Sequence, residues 1–218
     1  MMVDSIVFIL EIIGVVAFAI TGVITALEKK FDIFGALVLG VTTAVGGGIV
    51  RDMILGYLPP AAFREPVFAV TAIIVSLAVF VFAYFLGARI KKHFELYSQV
   101  INIFDSIGLS VFVIGGVNAA ISCGYGNNMF LAVFVGTLTG VGGGVMRDIM
   151  AGRVPKILRK RVYALAAVIG SVIYYLLTYY NVCPSEWAIA IGAGSVLIIR
   201  ILATIFRWNL PTVKNLDE

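Results

Sequence analysis

The sequence predicts an all-α polytopic membrane protein: seven transmembrane helices, built as two inverted three-helix repeats followed by a seventh helix. Three observations carry this. The 218 residues are 61% hydrophobic and 13% charged, against about 25% charged in soluble domains. The apolar runs reach the roughly 20 residues that a helix needs to cross ~30 Å of hydrocarbon. The chain also repeats itself, the signature of a duplicated unit. Residues 40–59 laid over 136–155 give ten identities in twenty positions: the first Gly, Thr43/Thr139, Val45/Val141, three glycines, an Arg-Asp pair, a later Gly and the closing Pro. Upstream, Glu11-x-x-Gly14-x-x-x-Phe18-x-Ile20-x-Gly22 lies over Asp105-x-x-Gly108-x-x-x-Phe112-x-Ile114-x-Gly116, with the offset changed by two residues.

The whole chain, 1–218, reads as one membrane domain. Spans at about 5–27, 33–57 and 66–89 make the first repeat, about 5–89. Those at about 99–121, 128–152 and 161–181 make the second, about 99–181. An extra span at about 185–206 and a polar tail, 207–218, follow. The opening Met1-Met2-Val3-Asp4 has no basic region and no small-residue cleavage site follows, so the first span is expected to be retained. Turn chemistry separates the spans: Pro59-Pro60 after the second, Gly124-Tyr125-Gly126-Asn127-Asn128 between the fourth and fifth, and Pro184 before the seventh.

Twelve of the sixteen basic residues fall on one side if the spans alternate: Lys29, Lys30, Arg89, Lys91, Lys92, Arg153, Lys156, Arg159, Lys160, Arg161, Arg207 and Lys214. By the positive-inside rule that side is cytoplasmic, with the N-terminus outside and the C-terminus inside. Three spans per repeat make the second repeat enter upside down. Inverted repeats of this kind build transporters and related permeation proteins, with the functional site near the midplane.

The charged pairs and glycines mark that site. Gly46, Gly47 and Gly48 precede Arg51 and Asp52; Gly142, Gly143 and Gly144 precede Arg147 and Asp148. Three successive glycines each cost a helix about 1 kcal/mol relative to Ala. One reading is packing, since a face without Cβ atoms admits a neighbouring helix. The other is a kink or unwound turn lining a watery path, where irregular backbone is tolerated at membrane depth. Thr42, Thr43, Thr137 and Thr139 either serve freed backbone groups and ions or bond back to their own helix.

Ionisable side chains inside a bilayer signal function and need partners. At 1.5 Å per residue, Glu11 and Arg51 sit at matching depth near one side, and Asp105 and Arg147 near the other. Two symmetry-related clusters are therefore expected, Glu11 with Arg51 and Asp105 with Arg147. Asp52 and Asp148 would complete them or bind loosened backbone N–H groups. Consecutive helical positions point ~100° apart, so each Arg-Asp pair need not bond internally. Arg200, late in the seventh span, is expected to snorkel to the cytoplasmic interface.

Other classes find little support. The basic residues lie in short connectors beside apolar spans, which points away from nucleic acid. One histidine, His93 in a basic loop, and two distant cysteines make no zinc or haem pattern. Cys123 and Cys183 both fall in connectors on the outer side and are expected as free thiols, a bridge being the alternative. No nucleophile–base pair appears, so an enzyme and its cofactors are not expected.

Two copies of Gly-Gly-Gly-x-x-Arg-Asp in a seven-span chain resemble the prokaryotic members of the trimeric intracellular cation (TRIC) channel family. The same bacterial family is also known as a glycine-transporter or uncharacterised inner-membrane family. The resemblance covers roughly residues 4–207. It implies a multi-pass protein of a bacterial or archaeal plasma membrane, forming a homotrimer among membrane lipids. Each subunit would have its own pore for monovalent cations, chiefly K⁺, with Na⁺ as a second permeant ion. The second and fifth spans would line it, with the threonines, glycines and Arg-Asp pairs along the path. Transport of a small zwitterion such as glycine is the competing reading.

Overall fold

The protein is described here from a computed structural model, covering residues 2–86, 94–159, 162–206 and 208. The expectations for His93, Arg89, Lys91, Lys92, Lys160, Arg161, Arg207, Lys214 and most of the tail lie outside the described residues. Among the described residues, seven helices are long and apolar enough to cross a membrane. They are α1 (Met2–Glu28), α2 (Ile33–Ile54), α4 (Pro66–Leu86), α5 (Phe94–Ala120), α6 (Met129–Met150), α8 (Val162–Tyr179) and α9 (Ser185–Ile205). Two single-turn helices, α3 (Ala61–Arg64) and α7 (Lys156–Arg159), follow α2 and α6.

The duplicated residues set the ends of α2 and α6 alike. Asp32 accepts a hydrogen bond from the Gly35 N–H at 2.7 Å, and Asn128 accepts one from Leu131 at 3.0 Å. Both are N-caps that satisfy donors left open by the first helical turn. At the other end, Gly56 (φ 70°) and Gly152 (φ 64°) take the left-handed conformation. The N–H groups of Tyr57 and Arg153 then reach back to the carbonyls of Asp52 and Asp148, both at 2.8 Å. This is the Schellman ending, and it explains why the repeat keeps that later glycine.

The halves meet through α1 against α5 and α2 against α6. The contacts come in exchanged pairs, as a pseudo-twofold axis requires. Phe18 packs on its own counterpart Phe112, ring centroids 5.1 Å apart. A Cβ on Gly47 would stand 2.4 Å from the Thr139 carbonyl oxygen, and one on Gly143 only 2.1 Å from that of Thr43. The two helices therefore cross backbone to backbone at the middle glycines. No interruption accompanies the crossing: α2 and α6 stay helical through Gly46–Gly48 and Gly142–Gly144. The expected kink or unwound turn is thus corrected to close packing, because what the site demands is the absence of a side chain.

Helix α5 is the most enclosed span, 72% buried, and α4 the least, at 17%. The outward face of α4, with Ile74, Phe82 and Phe85 exposed, suits hydrocarbon. Cys123 and Cys183 are unbridged and pack against one apolar cluster with Val135 and Tyr174.

Candidate functional site

Arg51 lies one turn before the end of α2 and is 7% exposed. Its Nη1 donates to Glu11 Oε1 of α1 at 2.8 Å, and its Nε to Asp52 Oδ1 at 2.7 Å. Asp52 Oδ2 accepts the N–H of Ala61, the first residue of α3, at 2.7 Å. In the second repeat Arg147 Nη1 donates to Asp105 Oδ1 at 2.8 Å, and Nε to Asp148 Oδ1 at 3.0 Å. Asp148 Oδ2 accepts the N–H of Lys156, the first residue of α7, at 3.0 Å. The two acid–arginine pairs expected from depth are both present. The neighbouring Arg-Asp pairs also bond, because an arginine is long enough to curl back along its own helix. Each aspartate thereby ties the end of one long helix to the start of a short one.

The clusters differ in their surroundings. Beside Arg147 stands Thr21, whose Oγ1 accepts from Nη1 at 3.0 Å; the matching position in the other half is Gly115. There a Cβ would lie 2.9 Å from Glu11 Oε1. Lys156 Nζ is 3.5 Å from Asp105 Oδ2, and Arg200 Nη2 is 3.8 Å from it. Arg200 is 3% exposed, donates from Nε to Ser106 Oγ at 3.3 Å and stacks 4.6 Å from the Tyr163 ring. The expected snorkelling of Arg200 is therefore corrected. An anion and a ring face supplied inside the bundle offset its desolvation.

Three cations, Arg147, Lys156 and Arg200, thus face two anions, Asp105 and Asp148, a formal net of +1. Around Arg51 the balance is one cation against Glu11 and Asp52, a net of −1. The Arg147–Asp105 pair is sealed, 1% and 0% exposed. The Arg51 cluster instead opens to a cavity of about 650 Å³ at the N-terminal face, where α1 begins, with Glu11, Tyr57, Glu65, Phe68 and Asn118 in its wall. A narrower space of about 30 Å³ shares Glu11, Arg51 and Phe68 and reaches Asp52, Gly48 and Phe112.

The remaining candidates fall into two groups. Gly48 lines the narrower space, and Gly144 lies beside Tyr163, Arg147 and Asp105. Gly46, Gly47, Gly142 and Gly143 belong to the helix crossing, Gly46 against Met146. Thr43 and Thr139, fully buried, donate to their own helices at Leu39 (2.5 Å) and Val135 (2.7 Å). Thr137 turns toward Ser171 of α8, 3.4 Å away, and Thr42 is half-buried. Thr21, Lys156 and Tyr163 are not read into the site from sequence, and Arg200 is read from it at the interface, since each departs from the duplicated pattern or lies beyond it.

Lys156, outside the spanning helices, has its pKa lowered to about 8 by burial, against the pull of Asp105. Between about pH 8 and the ordinary lysine value of 10.5, the unfolded chain then holds more protons than the folded one. Stability should rise with pH across that window. Thermal unfolding of the wild type and K156M in detergent checks this, the variant losing that rise. Parallel curves for the two would remove the assignment.

The family model described as Glycine transporter matches residues 8–84 and 102–179, one match in each repeat. The inner membrane protein YadS (UPF0126) of Escherichia coli strain K12 is 39% identical over 209 residues, 96% of each chain. A UPF0126 membrane protein of Deinococcus radiodurans is 37% identical over 96% of this chain and 92% of its own. A solved TRIC cation channel is 40% identical over 95% of this chain and 97% of that one, with a TM-score of 0.80. The TRIC trimeric intracellular cation channel orthologue of Rhodobacter sphaeroides, 29% identical over 94% and 100% of the two chains, gives 0.83. Matched in both repeats and alike along nearly its whole length, this chain belongs to the Glycine transporter family, the family of the TRIC cation channels.

Proposed function

We propose that this protein is a monovalent cation channel, chiefly for K⁺, with a pore inside each subunit of a homotrimer. The observation that carries the reading is the cavity beside the net negative Arg51 cluster, continued by a narrower space that reaches Gly48 of α2. Carboxylates facing a narrow path attract cations, and Arg51 is neutralised by its two acids. The path would run from that cavity along α2 and α6 past Asp52 toward Arg147 and Asp148. It would open when the Gly47–Thr139 and Gly143–Thr43 contacts part. Solved relatives that are cation channels support this reading rather than an enzyme. With the N-terminal face outside, Lys29, Lys30, Arg153 and Lys156 would lie on the cytoplasmic side of a bacterial or archaeal plasma membrane; the relative YadS is an inner membrane protein.

Purified protein in liposomes tests the proposal. A K⁺ gradient should set the reversal potential of unitary currents. Glycine uptake that saturates, with no unitary conductance, would favour the second reading, which the family's description alone supports.

A further inference from the structure

The cavity at the N-terminal face is far larger than a bare potassium ion needs. At about 650 Å³ it falls in the range of small-molecule sites, roughly 300–1,000 Å³. Its wall combines aromatic faces with acids. Phe8 and Phe68 stand with ring centroids 5.5 Å apart, and both line the space with Tyr57, Glu11, Glu65 and Arg51.

The charge of this wall selects the ligand. Arg51 already holds Glu11 at 2.8 Å and Asp52 at 2.7 Å, so its single charge is outweighed by two carboxylates before any ligand arrives. Glu65 adds a third anion. Among the described residues Arg64 opposes these anions at the rim: its guanidinium covers the Tyr57 ring at 3.9 Å and donates to the Leu58 carbonyl. Counting Arg64 and Asp52, the formal balance among the described residues around the cavity is two cations against three anions. This balance favours a positive ligand, and the exposed Phe8 ring favours one whose charge is spread over methyl groups.

We propose that this cavity binds organic ammonium ions, quaternary ones best, through the exposed ring of Phe8, which packs on the buried Phe68, and the carboxylates of Glu11 and Glu65. The site lies at the mouth of the proposed inorganic cation path and shares Glu11 with it. Its occupation needs no current, so it stands independently of the channel reading.

Calorimetry on the full-length protein in a maltoside detergent, which carries no choline group, tests the proposal. The probes are choline, the near-isosteric zwitterion glycine betaine, phosphocholine and glycine. Choline should bind, with betaine, phosphocholine and glycine each at least about tenfold weaker. Glu65 is exposed and Phe8 is 39% exposed, so E65Q and F8A should fold as the wild type does. Each should weaken choline about fivefold, within the range of a partly desolvated cation–π or charge contact. Absence of choline binding to the wild type overturns the site, as does equal choline affinity in both variants. Phosphocholine binding as tightly as choline would assign the cavity to a lipid headgroup instead. Glycine or betaine binding more tightly than choline would assign it to a zwitterion, also against the proposal. Vesicles that pass no K⁺ while choline still binds would sink the channel and leave this site standing.

Discussion

Replacing Asp105 with alanine should cost about 3–5 kcal/mol of stability, the scale for breaking a buried ion pair. The substitution strands Arg147, Lys156 and Arg200 around a space in which Asp148 is the anion that remains. Glu11→Ala, at the equivalent position of the other half, should cost much less. The Glu11 side chain is 17% exposed and the cavity beside it admits water, which screens the arginine left behind. Urea or thermal unfolding of both variants in the same detergent measures the difference. Equal losses at the two positions would mean that the Arg147 cluster is as hydrated as the Arg51 cluster.

Gly143→Ala should be the most damaging of the six glycine-to-alanine changes, followed by Gly47→Ala. Each new methyl group would meet a backbone carbonyl oxygen, at 2.1 and 2.4 Å, and a carbonyl held in a helix cannot swing aside. Overpacking of a well-filled core costs about 1–3 kcal/mol, occasionally more, and both sites belong at the upper end. Gly48→Ala is the control. The nearest atom to its Cβ is Arg51 Nη2 at 3.9 Å, an ordinary contact, and alanine gains up to about 1 kcal/mol of helix propensity. Stability should therefore drop sharply at Gly47 and Gly143 and hold or rise at Gly48. A flat profile across the triplet would mean that α2 and α6 do not touch there.

The inverted repeats were legible because duplication copies contacts as well as residues. Equal depth was enough to pair Glu11 with Arg51 and Asp105 with Arg147, since an arginine in hydrocarbon has few partners within reach. The role of the triple glycines was not legible. A kink and a close helix crossing both require a missing side chain, and only the neighbouring chain distinguishes them. At Gly143 that neighbour is the Thr43 carbonyl, a hundred residues away in a segment with its own reason to keep a threonine. Arg200 was misread for a related reason. Helix α9 stands outside the duplication, so no second copy revealed that its arginine faces Asp105. Lys156 looked like one more connector cation, yet the bond from Asp148 to its N–H turns its side chain inward.

The reciprocal crossing at Gly47 and Gly143 has an evolutionary consequence. A homodimer of one such half would carry identical residues at both mouths, because every change would appear twice. Covalent fusion releases that constraint while the shared crossing keeps the halves in register. Thr21 opposite Gly115, and Arg200 with no counterpart at all, show the freedom being used: one mouth wide and anionic, the other shut and cationic. An ancestor made of separate halves had no such asymmetry, whereas the fused chain holds one open, net negative cluster and one sealed, net positive one.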